Sequence, residues 1–311
     1  NLITTTATVT GANGACTPPA GGGCYLWTVP DAPTTQARVR MTYLNDTTVN
    51  DQSNLNFSIK GSLTMNVPNG GETWLVGESR NITWTKGGSI ANAKLDLSTD
   101  GGVTYPISIT ASTPAANQSL AWTVPDNIGT QLRIRITDVG DATVNDASNG
   151  NFTIKGSLTI TTPNGGQTWI VGDSQNIVWN KTGTIANVKL EYSKNAFADE
   201  LQTFTIVAST AGETDPPTGA GNGQYAWTIP DAIGTNLKVR ITNVADTSVL
   251  DLSDAAFTIK GSLTLSSPNG AETWLVGESR NVVWTMMGTI ANDRIGSGGV
   301  TPLSSGNVVV R

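Results

Sequence analysis

The hexapeptide Ile-Lys-Gly-Ser-Leu-Thr occurs three times in this chain, beginning at Ile59, Ile154 and Ile259. Each copy ends one stretch of related sequence and begins the next. Successive copies are 95 and then 105 residues apart, which is the length of a small domain and exceeds the roughly 20–50 residues of a solenoid repeat. The chain is therefore predicted to be a row of homologous domains.

Counting from this hexapeptide divides the 311 residues into two complete repeats and two partial ones. The complete repeats are 61–155 and 156–260. Residues 1–60 correspond to the C-terminal half of a repeat, and residues 261–311 begin like the N-terminal half. We therefore expect two whole domains with a half-domain at each end.

The repeat 61–155 has the pattern of antiparallel β-structure. Apolar and polar residues alternate in short segments, such as Leu63 to Val67 and Leu132 to Ile136, and glycine- or proline-containing turns separate these segments. Alternation places every second side chain on one face of a strand. Roughly seven or eight such strands without helical periodicity predict an all-β, immunoglobulin-like antiparallel β-sandwich.

All nine tryptophans occupy three positions that recur along the chain. The first series is Trp74, Trp169 and Trp274, the second is Trp84, Trp179 and Trp284, and the third is Trp27, Trp122 and Trp227. We interpret the second and third series as core, because buried aromatic rings contribute large apolar areas. The first series follows a glycine turn, so a platform that stacks on sugar rings remains open for it.

A turn-and-tryptophan pattern resembles a known family. The segment Pro68–Trp74 reads Pro-Asn-Gly-Gly-Glu-Thr-Trp and is followed by Gly77 and by Asn-Ile-Thr-Trp at 81–84; the pattern recurs at 163–179 and 268–284. It is similar to the Ser-Thr-rich GPI-anchored domain, also called the Kre9/Knh1-like domain, of fungal wall proteins and tandem microbial surface proteins. The resemblance implies a secreted, non-catalytic, immunoglobulin-like module. The Ser/Thr-rich tail and lipid-anchor signal of the fungal members do not occur in this sequence.

Composition argues against several classes of function. The net charge of −6 offers no basic surface for phosphates, so nucleic-acid binding is not expected. The sequence contains no histidine, which excludes a Ser-His-Asp triad and a histidine-ligated zinc site. No segment approaches the ~20 apolar residues that span a bilayer. We expect neither an enzyme nor a cofactor.

Acidic residues recur at two positions of one loop. The first position is Asp46, Asp141 and Asp246, and the second is Asp51, Asp146 and Asp251. Carboxylates at a boundary between repeats could bind calcium, although the dense spacing of a calcium loop is lacking. Capping of tight turns is the alternative, and it is also our interpretation of Asp31, Asp126 and Asp231, which each follow a proline.

Basic residues alternate with apolar ones on one strand of each repeat. They are Arg38 and Arg40, Arg133 and Arg135, and Lys238 and Arg240. We predict a solvated ladder in which they pair with residues such as Asp96 or Glu191 on a neighbouring strand.

The two cysteines, Cys16 and Cys24, flank a loop rich in proline and glycine. A disulfide that closes this loop is the main interpretation, and it would place the protein in an oxidising compartment. A pair of free thiols in a reducing cell is the alternative.

The partial repeats suggest how copies of the chain associate. A half-sandwich would expose core tryptophans and strand edges, and the C-terminal half of one copy could complete the N-terminal half of the next in a head-to-tail contact. The edge residues expected to take part are Leu2, Ile3, Val308, Val309 and Val310. A window on a longer array, or a simple expression fragment, would also produce partial repeats.

The sequence thus predicts an extracellular structural protein that forms a fibre, stalk or surface filament from identical subunits. The alternative is an array of carbohydrate-binding or adhesin modules that binds a cell-wall or extracellular glycan.

Overall fold

The structure of this chain is a computed structural model that describes residues 11–13, 23–213 and 222–290. Within those residues the regular structure is β-strand, apart from single-turn 3-10 helices at Ala115–Asn117 and Glu200–Gln202. The predicted all-β fold is confirmed.

The strands follow the sequence repeats. Residues 1–60 contribute β1 (Gly11–Asn13), β2 (Gly23–Tyr25), β3 (Thr34–Ala37), β4 (Arg40–Thr42), β5 (Asn50–Gln52) and β6 (Phe57–Ile59). Residues 61–155 contribute β7 (Ser62–Val67), β8 (Thr73–Leu75), β9 (Ser79–Gly87), β10 (Asn92–Ser98), β11 (Ile107–Pro114), β12 (Ser119–Thr123), β13 (Gly129–Asp138), β14 (Asn145–Ala147) and β15 (Phe152–Lys155). Residues 156–260 contribute β16 (Ser157–Thr162), β17 (Thr168–Ile170), β18 (Ser174–Thr182), β19 (Asn187–Ser193), β20 (Thr203–Ala211), β21 (Asn222–Thr228), β22 (Gly234–Asn243), β23 (Leu250–Leu252) and β24 (Phe257–Lys260). The last described strands are β25 (Ser262–Ser267) and β26 (Val283–Met287).

The two complete repeats share one topology of two sheets. In 61–155 the sheets have the orders β11-β10-β13-β15-β8, with β14 on β13, and β12-β9-β7. In 156–260 the orders are β20-β19-β22-β24-β17, with β23 on β22, and β21-β18-β16. The short strand β17 runs parallel to β24, whereas the pairs β19–β22 and β18–β21 are antiparallel.

The core of the repeat 156–260 contains side chains from both of its sheets. Trp179 and Trp227 belong to one sheet, and Leu190, Ile241 and Phe257 belong to the other, and all five are buried in one cluster. The alternating pattern produces this core because every second residue of a strand points to one face. Two sheets around one core make the predicted β-sandwich.

Contacts group the chain into two compact units. The first consists of residues 1–74, 79–123 and 129–153, and the second consists of residues 75–78, 124–128 and 154–311. Two short loops of the repeat 61–155 thus belong to the second unit, together with the repeat that follows.

The partial repeats have smaller sheets. Residues 23–60 form the two-stranded pairs β3–β6 and β4–β5, and residues 261–290 form the pair β25–β26. Their registers match those of the complete repeats: Leu265 pairs with Trp284 as Met65 pairs with Trp84.

Candidate functional site

Three aspartates that follow a proline each accept two hydrogen bonds from a serine or threonine 58 residues later in the chain. The backbone N–H and the hydroxyl of Ser89 donate to Asp31 (2.7 and 2.7 Å), those of Thr184 donate to Asp126 (3.1 and 2.5 Å), and those of Thr289 donate to Asp231 (2.8 and 2.5 Å). We call these contacts the first, second and third joints, because each connects the end of one repeat to the start of the next.

These aspartates also occupy tight turns, as expected from the sequence. In the turn after Pro125, for example, the N–H of Asn127 donates to the carbonyl of Pro125. The hydrogen bonds that these aspartates accept from the next repeat were not predicted from the sequence. At the first joint the hydrogen bonds from the hydroxyl and the N–H of Ser89 lower the pKa of Asp31, so this carboxylate is ionised at neutral pH.

A lysine provides a second contact at the first two joints. Lys60 Nζ lies 2.9 Å from Asp141 Oδ2 and also contacts the hydroxyl of Thr143. Lys155 Nζ lies 3.2 Å from Asp246 Oδ2 and contacts the hydroxyl of Ser248. Both lysines belong to the recurring hexapeptide, so the same short segment links adjacent repeats covalently and through an ion pair.

Glycines provide the space at the joints. Gly183 has a φ of +74°, and a Cβ there would lie 3.0 Å from Val76 Cγ2 and 3.1 Å from Ile128 Cδ1. At the third joint a Cβ on Gly288 would lie 3.0 Å from Val171 Cγ2. Only glycine combines a left-handed backbone with such close packing at low cost.

Each of these valines lies in a short loop. In the two complete repeats this loop makes the same three backbone hydrogen bonds. We call residues 75–78, 170–173 and 275–278 the valine loops. In the first of them, Val76 N–H donates to Lys155 O, Gly77 N–H donates to Val124 O, and Val124 N–H donates to Glu78 O, each over 2.9 Å. The equivalent distances in the loop 170–173 are 2.9, 2.9 and 2.8 Å.

The first acidic position in the recurring loop caps a turn. Asp46, Asp141 and Asp246 each accept hydrogen bonds from the backbone N–H and the hydroxyl of the residue two positions later. The pKa of Asp141 is lowered to about 2, mainly by the hydrogen bond from the hydroxyl of Thr143 and next by the hydrogen bond from Lys60. The turn-capping interpretation is confirmed for this position.

The second acidic position connects strands within a repeat. Asp146 Oδ2 accepts the N–H of Met65 at 2.7 Å, and Asp251 Oδ2 accepts the N–H of Ile160 at 2.6 Å. Asp51, at the equivalent position in the partial repeat, is exposed. Across the described ranges, no three His, Cys, Asp or Glu side chains converge closely enough to hold a metal ion; calcium binding stays a prediction.

The sugar-platform hypothesis is wrong for two of its three tryptophans. Trp74 and Trp169 are only 4% and 6% exposed. Strands β8 and β17 lie at the edge of the larger sheet of each repeat and turn these rings towards the core. Trp74 packs on Trp122 at 5.9 Å and on Phe152 at 5.1 Å between ring centroids. Trp274, in the partial repeat, is 39% exposed.

The other two tryptophan series behave largely as predicted. Trp84 and Trp179 are buried in the complete repeats, as is Trp227, and Trp122 is half-buried. The indole N–H groups of Trp84 and Trp179 donate to the carbonyls of Ala115 and Gly212, at 3.0 and 2.9 Å.

The predicted ladder is present but less solvated than expected. Arg135 lies opposite Asp96, and Arg240 lies opposite Glu191 with a contact of 2.9 Å. Asp96 and Glu191 are buried, which corrects the prediction of a solvated face for these two residues. The ring of Tyr105, over which the Arg135 guanidinium stacks at 4.3 Å, helps to cover this face.

The partial repeats expose faces that are core elsewhere. Leu265 is 45% exposed, whereas its equivalents Met65 and Ile160 are each 1% exposed. In residues 23–60, Val39, Met41 and Tyr43 are likewise exposed. Among the described residues, each partial repeat therefore presents one exposed apolar sheet face.

Several predicted site residues lie outside the described residues. They are Cys16, Leu2, Ile3, Val308, Val309 and Val310. The disulfide between Cys16 and Cys24 and the edge pairing by the terminal residues stay predictions.

Comparisons with known proteins give weak likenesses. No family model and no curated protein matches the chain. Among solved structures, the fibronectin(III)-like modules of CbhA from Clostridium thermocellum match with 15% identity over 64% of this chain and 94% of that chain, at a TM-score of 0.23. Immunoglobulin domains 1–5 of Sidekick-1 match with 12% identity over 74% of this chain and 47% of that chain, at a TM-score of 0.29. The N-terminal four Ig domains of Dscam1 isoform 8.4 match with 11% identity over 68% of this chain and 51% of theirs, at a TM-score of 0.28.

Within the described part of the chain, no helix has the length and apolar character to cross a membrane.

Proposed function

We propose that this chain is an extracellular structural repeat protein, without a catalytic step, whose copies join head to tail by completing each other's partial repeats. In this proposal the C-terminal half-domain of one copy and the N-terminal half-domain of the next form one β-sandwich. The product would be a fibre, stalk or surface filament. The resemblance to Ser-Thr-rich GPI-anchored domains supports a location in a wall or on a surface.

Single-residue links between strands at the repeat boundaries support a structural role. Strand β15 ends at Lys155 and β16 begins at Ser157, so Gly156 alone connects them. The same single-residue link follows Lys260.

The aromatic residues of the partial repeats carry the proposal. A complete repeat contains a trio of rings: Trp169 lies 6.0 Å from Trp227 and 5.0 Å from Phe257, and Trp227 lies 6.5 Å from Phe257 at 81°. Residues 23–60 of the N-terminal partial repeat contain the equivalent of the last of these pairs, Trp27 and Phe57 at 6.3 Å and 85°.

The third ring of this trio is present in the other partial repeat. Trp274 is equivalent to Trp169 and is exposed. One half-domain thus holds two rings in the geometry of a finished core, and the other holds the ring that would complete it. Burial of such a ring against two aromatic partners is a strong source of binding free energy.

Replacement of Trp274 tests the proposal. We expect the full chain to form filaments by electron microscopy and a concentration-dependent ladder of masses by mass photometry, and we expect Trp274→Ser to stay monomeric. Leu201→Ser is the matched control, because Leu201 is an exposed apolar residue of the 3-10 helix Glu200–Gln202, and it should assemble normally. A wild-type chain that stays monomeric at high concentration, or unchanged filaments from Trp274→Ser, would contradict the proposal.

The exposed ring of Trp274 also favours a second candidate, a glycan-binding module. That candidate requires glycan binding by wild-type chain that Trp274→Ser abolishes while the state of association stays the same.

A further inference from the structure

A cavity lies beside the first joint. Its volume is about 190 Å³, and its walls include Val29, Asp31, Pro33, Ile59, Lys60 and Gly88. The floor combines apolar side chains with the recurring lysine and the joint aspartate.

The equivalent space in the second joint is filled. The residues that correspond to this wall are Val124, Asp126, Ile128, Ile154, Lys155 and Gly183. Among them lies the valine loop 75–78: Val76 bonds to Lys155, Gly77 and Glu78 bond to Val124, and Val76 Cγ2 packs over Gly183. The loop 170–173 fills the third joint with the same three hydrogen bonds and with Val171 over Gly288.

Among the residues that the structure describes, none packs over the first joint in this way. The atoms nearest to a Cβ on Gly88 belong to Asp31 and Gly61, and no valine lies among them. The valine loop that would belong to this position, by the order of the repeats, is 275–278.

That loop is preformed and exposed. The N–H of Glu278 donates to the carbonyl of Leu275 at 3.2 Å, as Glu78 does to Leu75 at 3.1 Å. The N–H of Leu275 donates to Glu278 Oε2 at 3.3 Å, which again matches the loop 75–78 at 3.4 Å. The side chain of Val276 is fully exposed. A loop held in its bound shape loses little entropy when it docks.

We infer that the valine loop 275–278 of one copy occupies the cavity beside the first joint of a second copy. This inference rests on the proposed head-to-tail assembly. It adds to that assembly a contact between the valine loop 275–278 and the cavity beside the first joint, which we call the socket. Val276 N–H would donate to Lys60 O, Gly277 N–H to Val29 O, and Val29 N–H to Glu278 O. The side chain of Val276 would pack over Gly88. The two hydrogen bonds that Ser89 donates to Asp31 fix the position of Asp31 in the wall of this cavity.

A charged residue in the loop tests this contact. Because Val276 is fully exposed in the free chain, Val276→Asp should leave the fold intact, as circular dichroism would verify. We expect it to weaken association about 100-fold in sedimentation velocity, as for a central interface residue. Val103→Asp is the control, since Val103 is an exposed valine of a complete repeat, and it should associate like wild type.

A variant of the socket gives a complementary test. Pro33→Trp places a large ring in the cavity and should also prevent chain growth. A mixture of Val276→Asp and Pro33→Trp retains one intact loop and one intact socket, so we expect a 1:1 dimer and no longer species. Absence of this dimer, with each variant still monomeric alone, would overturn the pairing of loop and socket.

Photocrosslinking locates the loop directly. A benzoylphenylalanine at position 276 in a mixture of ¹⁵N- and ¹⁴N-labelled chains should yield mixed-isotope crosslinks to residues 29–33 or 88. Crosslinks within one chain, or to another surface, would overturn the inference.

Failure of this inference is distinguishable from failure of the proposed function. If Trp274→Ser abolishes association and Val276→Asp leaves it unchanged, the half-domains complete each other without the loop, and only the present inference is wrong. If both variants associate like wild type, or wild type does not associate, both proposals are wrong.

Discussion

Replacing Gly183 by alanine should weaken the second joint without touching either hydrophobic core. The substitution adds one methyl group at a residue whose φ is +74°. That methyl group would lie 3.0 Å from Val76 Cγ2, 3.1 Å from Ile128 Cδ1 and 3.2 Å from Asp126 Oδ1. Each of these distances is shorter than ordinary van der Waals contact, so the three neighbours must move.

Two free-energy costs, backbone strain and crowding, add when alanine replaces Gly183. The same substitution at a second glycine measures the backbone strain without the crowding. A left-handed backbone costs alanine about 1–2 kcal/mol, and crowding of a packed site costs typically 1–3 kcal/mol, here nearer the lower value because side-chain ends can shift. Gly166, in the same repeat, has a φ of +77° and no atom within 4 Å of a Cβ. Gly166→Ala should therefore lose ~1–2 kcal/mol and Gly183→Ala ~2–4 kcal/mol of unfolding free energy.

Urea unfolding of the full chain, followed by tryptophan fluorescence, measures both losses. Val76→Ala removes the nearest obstructing methyl group, so the additional loss from Gly183→Ala should shrink when Val76 is already alanine. Equal losses for the two glycine variants, or a loss that Val76→Ala leaves unaltered, would refute packing of the valine loop as the source of joint stability.

Two further outcomes follow from the same structure. The pKa of Asp141 lies at about 2, below its usual value of 3.8. The stabilisation that the Asp141 carboxylate provides is therefore complete above pH 3.8 and is lost as the pH falls towards 2. The difference in Tm between wild type and Asp141→Asn should shrink over that interval, and a constant difference would contradict this role. Trp169→Ala should cost ~3–5 kcal/mol of unfolding free energy because its buried ring packs against Trp227 and Phe257, and a calorimetric change below ~1 kcal/mol would contradict its place in the core.

The cores could be predicted from the sequence because their signal is local. Alternation within β22 places Leu237, Val239 and Ile241 on one face, and all three are buried. The pairing of Arg240 with Glu191 also follows, since opposite charges on adjacent strands recur in register.

Burial by a neighbouring element could not be predicted in this way. The glycine turn before Trp74 suggested partial exposure, whereas the structure covers this ring with Trp122 and Phe152. Asp96 alternates as an outward residue, yet Tyr105 and Arg135 shield its face. Both corrections depend on which strands become neighbours, and the pattern within a single strand does not determine that.

The hydrogen bonds at the joints could not be predicted from the sequence for a different reason. An aspartate after proline is a sufficient turn signal, so Asp126 needed no other explanation. Its partner Thr184 lies 58 residues away, and one long-range hydrogen bond leaves no periodicity. The available signal was that a serine or threonine recurs at this spacing from every Pro-Asp pair, which becomes visible only when the repeats are aligned on their glycines.

The repeated joint also constrains where an assembly would be weakest. Within one chain, Gly156 continues the backbone from β15 into β16, so the second joint cannot separate even if its hydrogen bonds break. In the repeat completed between copies, no peptide bond would join the half-domain that holds Trp274 to the half-domain that holds Trp27. That repeat would depend on strand pairing between the two copies, on burial of the aromatic trio and on the valine loop. A filament of this kind should come apart at its shared repeats while the complete repeats 61–155 and 156–260 stay folded.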